Sequence, residues 1–288
     1  MKKEWSIQKA LFVLVGSTVC TLTLSLIILF SWQKKRAERL ENECYHVRYI
    51  LQTGPEKKAL PTAHLAEILG LCKDLPISLY ALDMKDLKKR LLQSPFIAKA
   101  NVKRLPPSTL YIDYEIRKPV AWISDFKNRA VDQEGYLFPI HPFFSPKQLP
   151  EIYLGISDLS SSRIEGAALD LAFRVLKYLE ESPWAEGLQV ERVDVSHAFS
   201  SSLGTREVVI LTKEEIGVHK KGRKVSFVFP RILRLTPKGY EEQLTRFFAL
   251  KKEMIKSYRK QLASYDSGGK FSPKIIDLRA PQLAFIQK

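Results

Sequence analysis

Residues 95–116 read PFIAKANVKRLPPSTLYIDYEI, and the reading of this stretch decides the fold. Phe96–Arg104 alternates loosely between apolar and polar side chains, and Leu110–Ile116 alternates cleanly. Between them Leu105-Pro106-Pro107-Ser108 supplies turn residues. Period-two alternation on both sides of a Pro-rich turn predicts two neighbouring antiparallel strands with one buried face.

Toward the N-terminus, Ser94-Pro95 stops a helix that Asp83 caps, with Leu87, Leu91 and Leu92 on one face. Before it, Thr62 caps a second helix carrying Leu65, Ile68, Leu69 and Leu71. Tyr45–Leu51 alternates as a strand that Gly54-Pro55 closes. The order is β-α-α-β-β, two helices on one face of a three-stranded sheet, which makes a two-layer domain over residues 43–118.

Further out, Ala10–Phe30 contains no charge and matches the roughly 20 residues a helix needs to span a bilayer. Trp5 and Trp32 stand where interfacial aromatics sit. The run is longer than a signal-peptide core, and Ser31-Trp32-Gln33-Lys34-Lys35 offers no small-residue cleavage site. A retained transmembrane helix over 10–32 is expected, with a tail at 1–9 and a charged spacer at 33–42. Lys2, Lys3 and Lys9 on one flank face Lys34, Lys35, Arg36 and Arg39 on the other, so charge leaves the orientation undecided.

Toward the C-terminus, 119–288 reads as a second domain of mostly β texture. Val120–Ile123, Arg129–Val131 and Tyr136–Phe138 are short strands. A helix follows Gly166, with Leu169, Ala172, Phe173, Leu176 and Leu179 inward, and ends at Ser182-Pro183. Strands are expected at Leu188–Val195, Glu207–Leu211 and Val225–Leu235. Thr236-Pro237 opens a long helix with an apolar stripe from Tyr240 to Ile255, which Ser267-Gly268-Gly269 breaks. Ile275–Leu278 and Leu283–Ile286 are closing strands. The fold class is α+β: one N-terminal transmembrane helix, a β-α-α-β-β domain, then a mainly antiparallel β domain with flanking helices.

Composition is that of a globular protein, 45% hydrophobic and 27% charged, yet the net charge is +15. Such a balance suits nucleic acid, an anionic membrane surface or acidic polymers. No nucleic-acid module is present. The cations gather at His219–Lys224 and at Lys251–Lys260, the second group reading as the solvated face of the long helix. Cys44 and Cys72 are the cysteines outside the apolar run, too few for a disulfide scaffold.

No stretch of the chain carries an enzyme signature. His46, His64, His141, His197 and His219 are scattered without metal-ligand spacing. Gly155-Ile156-Ser157-Asp158-Leu159 lacks the last glycine of a nucleophile elbow, and Ser124/Lys127 has no Lys-Thr-Gly companion. Ser267-Gly268-Gly269-Lys270 lacks the rest of a phosphate loop. Asp132 and Glu134 share a tight turn where a carboxylate bonds the backbone. No catalytic residue, cofactor, metal or small-molecule substrate is expected.

Pro95-Phe96, Ala100-Asn101-Val102-Lys103-Arg104 and Pro107-Ser108-Thr109-Leu110 together resemble the second half of the POTRA domain of the FtsQ/DivIB bacterial cell-division proteins. The likeness continues through Arg117-Lys118-Pro119-Val120-Ala121, through Val131-Asp132-Gln133-Glu134-Gly135-Tyr136-Leu137-Phe138, and in Ile276-Asp277-Leu278-Arg279. Departures are Ile116 where the family often has glutamate, and Ala280 where an aromatic is common.

The resemblance implies a non-enzymatic scaffold in the bacterial inner membrane at the division site. Its N-terminus would be cytoplasmic and its POTRA and β domains extracytoplasmic. The implied partners are the FtsB/FtsL coiled-coil pair, with septal peptidoglycan synthesis as the process served. An exported POTRA factor of envelope assembly or secretion is the alternative.

A terminal strand with a free edge accepts a partner strand through main-chain hydrogen bonds. That edge is expected at Leu283–Ile286, with Arg279 at its approach, Ala284 and Ile286 in the strand and Phe285 as apolar anchor. The competing reading has Phe285 filling the β core. Lys99, Lys103 and Arg104 on the second POTRA strand would meet an acidic partner or stand in solvent.

Overall fold

The computed structural model describes residues 7–54, 59–72, 74–141, 148–158, 161–220, 223–262 and 268–287. The readings made on Lys2, Lys3, Trp5, Pro55, Lys221, Gly222 and Ser267 lie outside the described residues. The chain divides into two compact units, 1–116 and 117–288.

The first unit opens with α1 (Ile7–Glu41), one unbroken helix. From Leu11 onward it is long and apolar enough to cross a membrane, and its large apolar side chains, such as Phe12 and Leu22, are exposed. Its polar residues are made compatible with lipid by local bonding. The hydroxyls of Ser17, Thr18, Thr21, Thr23 and Ser25 each donate to a carbonyl three or four residues back.

After α1 the Asn42 side chain accepts the Cys44 N–H and seeds a 3-10 turn at Glu43–Tyr45. This turn consumes the start of the strand expected from Tyr45. The strand β1 therefore begins later and spans Tyr49–Thr53.

Helix α2 (Thr62–Leu69) begins with Thr62 inside its first turn and Pro61 as the cap, so Thr62 is not the capping residue. The Thr62 hydroxyl instead accepts from the Gln52 amide. Gly70 ends α2 in the left-handed region at φ 69°. Helix α3 (Met84–Gln93) starts at Asp83, whose carboxylate accepts the Lys85 N–H. Leu87 and Leu91 are buried, whereas Leu92, about 100° further round the helix, is 41% exposed.

Strands β2 (Ile97–Leu105) and β3 (Thr109–Ile116) pair antiparallel. A register shift between Ile97 and Lys99 explains why the alternation of β2 is loose. The sheet order is β1-β3-β2, with β1 parallel to β3. The clean alternation of β3 buries Leu110, Ile112, Tyr114 and Ile116. The Tyr114 hydroxyl accepts the Leu60 N–H and donates to Gln52. Burial pushes this phenol above its ordinary pKa, against the smaller opposite effect of the Leu60 bond.

Among the described residues the second unit is one large mixed sheet with two α-helices. It comprises β4 (Ala121–Ile123), β5 (Arg129–Val131), β6 (Leu137–Pro139), β7 (Glu151–Tyr153), α4 (Ala167–Glu181), β8 (Leu188–Asp194), β9 (Val208–Lys220), β10 (Arg223–Leu235), α5 (Tyr240–Leu262), β11 (Gly269–Lys270), β12 (Lys274–Asp277) and β13 (Phe285–Gln287). The order is β13-β12-β10-β9-β8-β7-β4-β5-β6, with β11 beside β10.

Hairpin-linked neighbours pair antiparallel. The parallel pairs all have long crossovers between them, α4 for β7–β8, α5 for β10–β11 and β10–β12, and the β5–β6 hairpin for β4–β7. The core between helices and sheet holds Ile152, Val193, Ala172, Val175, Leu244 and Phe247.

Four expectations change here, the first being the start of α5: it begins at Tyr240, so Pro237 stands in the turn before the helix and not at its first position. The strand β7 was not anticipated, since three residues around Ile152 carry too little pattern. Strand β9 runs nine residues past the expected Leu211, ending at Lys220, and pairs with β10 in continuous register from Val208↔Leu235 to Lys220↔Arg223. The described members of the basic group, His219, Lys220, Arg223 and Lys224, thus belong to the paired strands β9 and β10.

Lys251 does not lie on a solvated face. It is 5% exposed, its ammonium 3.1 Å from the Glu214 carboxylate and bonded to the Glu186 carbonyl. Glu214 also meets Arg231 at 2.7 Å, and this buried charge cluster explains why 212–215 gave no apolar alternation.

Candidate partner-binding strand edge

The last strand owes its place to the loop before it. Arg246 of α5 donates to the carbonyls of Leu278 and Ala280, fixing the exit from β12. Gln282 then turns the chain in the left-handed region at φ 58°. Strand β13 returns antiparallel to β12, with Ile286 opposite Ile276 and Phe285 opposite Asp277. It ends the sheet, and among the described residues β12 is its only strand neighbour. A strand so placed leaves one row of main-chain donors and acceptors without a ladder partner.

Its side chains are open as well: Leu283 is 58% exposed, Phe285 59% and Ile286 46%. Phe285 therefore does not fill the β core. Ala284 is exposed and lies one residue before β13 rather than within it, because the turn at Gln282 delays the first ladder pair to Phe285.

Arg279 is not free to meet a partner in the simple way expected. Its guanidinium forms a fork on Asp277, at 3.0 Å and 2.7 Å, and reaches Glu207 at 3.1 Å. Arg234 completes the ring, 2.7 Å from Glu207 and 3.7 Å from Asp277. The Arg279 fork holds the Asp277 carboxyl below the usual carboxylate range, against a smaller upward effect of burial. The same bond raises Arg279. By sequence, Glu207 marks only the start of a strand. Nothing in the local sequence joins it to Asp277, because strand order alone brings them together.

The three POTRA cations divide. Lys99 pairs with Glu115 at 3.0 Å across the β2–β3 ladder, on the outer face. Lys103 is exposed on the same strand. Arg104 is exposed, yet its Nε donates to the Leu79 carbonyl at 2.9 Å and a second nitrogen bonds the Leu82 carbonyl. It sits on the inward row at the end of β2 and ties the turn before α3 to the sheet.

The motif residues near the start of the second unit are structural. Arg117 and Asp132 form an ion pair at 2.7 Å with side chains 10% and 9% exposed, and Arg117 also stacks on Tyr136 at 3.7 Å. Asp132 accepts the N–H groups of Glu134 and Tyr136, the backbone-bonding role read for it. Gly135 adopts φ 86°, and a Cβ there would come within 2.4 Å of the Ile164 carbonyl oxygen.

Cys44 and Cys72 are both free and exposed. Among the described residues no three His, Cys, Asp or Glu side chains gather as a metal site would.

Residues 53–113 match the POTRA domain, FtsQ-type, a span running from the end of β1 into β3. The protein is thus one that carries an FtsQ-type POTRA domain behind an N-terminal apolar helix. The match supports assignment to the FtsQ/DivIB family and a role connected with cell division. One apolar helix of this length is compatible with a single-pass membrane protein. No curated protein matches the chain.

Proposed function

We propose that this chain is a non-enzymatic, single-span scaffold of the bacterial division machinery that captures an extended strand from an FtsB/FtsL-type coiled-coil pair at β13. On this reading residues 10–32 span the membrane, 1–9 are cytoplasmic, 33–42 form a spacer, and 43–118 and 119–288 are the extracytoplasmic POTRA and β domains. The carrying observation is the conjunction at β13: an open strand edge with exposed Leu283, Phe285 and Ile286 beside it.

The physics of such capture is β-augmentation. Main-chain hydrogen bonds supply attachment, and alternate side chains supply choice of partner. Fully burying an aromatic or aliphatic side chain of this size contributes about 1.5–3 kcal/mol, so Phe285 is a natural anchor. Arg279 acts as a positioning residue, holding the β12 exit through Asp277 and Glu207.

The test is co-purification of the full chain with the coiled-coil pair, comparing wild type with Phe285→Asp. Because Phe285 is exposed, the substitution should leave the melting temperature unchanged. Retention of the pair should fall by at least about tenfold, in line with loss of an interface anchor. Equal retention by a folded Phe285→Asp protein would overturn the strand-capture reading.

A further inference from the structure

We propose that α1 and the turn at 77–82 together form a binding site for the phosphate headgroup of an anionic phospholipid. The proposal rests on the reading that α1 spans the bilayer.

Trp32, Lys35, Arg36 and Arg39 recur at i, i+3, i+4 and i+7 and so share one face of the helix. At about 100° per residue, Glu38 and Glu41 lie roughly 120° and 180° away from Trp32. The stripe is cationic and aromatic without a carboxylate in it. With a rise of about 1.5 Å per residue, Lys35–Arg39 stands roughly 8–14 Å beyond Phe30. Long cationic side chains reach back from there into the headgroup layer.

Positive flanks are common on membrane helices; a built concavity is not. Here the stripe faces a cavity of about 440 Å³ lined by Trp32, Lys35, Arg36, Arg39, Tyr80 and Arg104. Its far wall is fixed to the helix. Ser78, only 5% exposed, donates its hydroxyl to the Arg39 carbonyl at 2.9 Å, and the Arg39 guanidinium lies 4.9 Å over the Tyr80 ring. Arg36 lies 5.7 Å over the Trp32 ring.

Stacking holds a guanidinium by its face and leaves its edge N–H groups for phosphate oxygens. Four cations around one cavity favour a lipid of net negative charge. They disfavour a zwitterionic headgroup, whose own ammonium would be repelled.

The test uses the full chain in nanodiscs of phosphatidylcholine with and without phosphatidylglycerol. Alkaline carbonate extraction first establishes that the chain is integrated, and native mass spectrometry then reads which lipid stays bound. Wild type should retain phosphatidylglycerol in preference to phosphatidylcholine. Arg36→Gln should weaken that preference about fivefold, the effect of one cation near an anionic surface. It leaves the Ser78–Arg39 clamp in place.

Lys34→Gln removes the same charge from the opposite side of the helix and should change the preference little. Equal loss in both variants would show diffuse surface charge and overturn the site. So would an integrated chain without preference, or displacement of the lipid by inorganic phosphate. Release by carbonate would overturn the span itself and the lipid site with it.

Discussion

Asp132 and Arg117 show what a single pair does for this fold. The Asp132 carboxylate serves the Arg117 guanidinium and two backbone N–H groups at once, in a site that excludes most solvent. Breaking such a pair by removing one partner leaves a buried charge uncompensated, at about 3–5 kcal/mol. Arg117→Met, which keeps the length of the side chain, is therefore expected to destabilise the protein by about 3 kcal/mol. Urea unfolding followed at the tryptophans checks this, and a loss under about 0.5 kcal/mol would assign the pair no structural weight.

The role of Asp132 was legible because a carboxylate ahead of Glu-Gly is a local turn signal. The roles of Lys251 and Arg104 were not. Lys251 sits in a run of cations that reads as a solvated helix face, and only the β9–β10 hairpin brings Glu214 to it. Arg104 finds its carbonyl acceptors 22 and 25 residues back along the chain.

At the scale of elements, the attachment of β13 depends on the ring of Arg279, Asp277, Glu207 and Arg234. Asp277 has a folded pKa depressed chiefly by the Arg279 hydrogen bond. The sign follows from linkage: a depressed carboxylate pKa contributes stability that is present above the unfolded value, about 3.9. That contribution is lost as pH falls through the lower folded value. Wild type should therefore shed part of its stability below about pH 4, and Asp277→Asn should lack that component. Urea midpoints measured across this acid range would show it; identical pH slopes for the two proteins would contradict it.

Most elements could be read from the sequence where pattern and punctuation agreed. Asp83 and Ser94-Pro95 bracket α3, and Gly166 and Ser182-Pro183 bracket α4. The misses have physical causes. Strand β7 is three residues long, β9 carries Thr212 and Glu214 inward, and β1 loses its first residues to the turn that Asn42 seeds. Of the candidate edge, the terminal strand was legible; the sequence left Phe285 open between edge and core, because a single aromatic in a short strand fits either, and the ring through Glu207 required the strand order.

For the whole molecule, the described parts form a consistent set: an apolar helix with satisfied hydroxyls, a POTRA domain of FtsQ type, and a sheet that ends on an open strand. On the proposed reading the helix tethers both domains at the outer face of the membrane, where a coiled-coil partner could add its strand to β13. Flanking charge does not supply that direction, because cations stand on both sides of the apolar run. Protease accessibility of the 117–288 unit in spheroplasts and in intact cells is the most direct test. The account predicts digestion in spheroplasts and protection in intact cells; a unit that stays protected until the cytoplasmic membrane is lysed would place it in the cytoplasm and contradict the account.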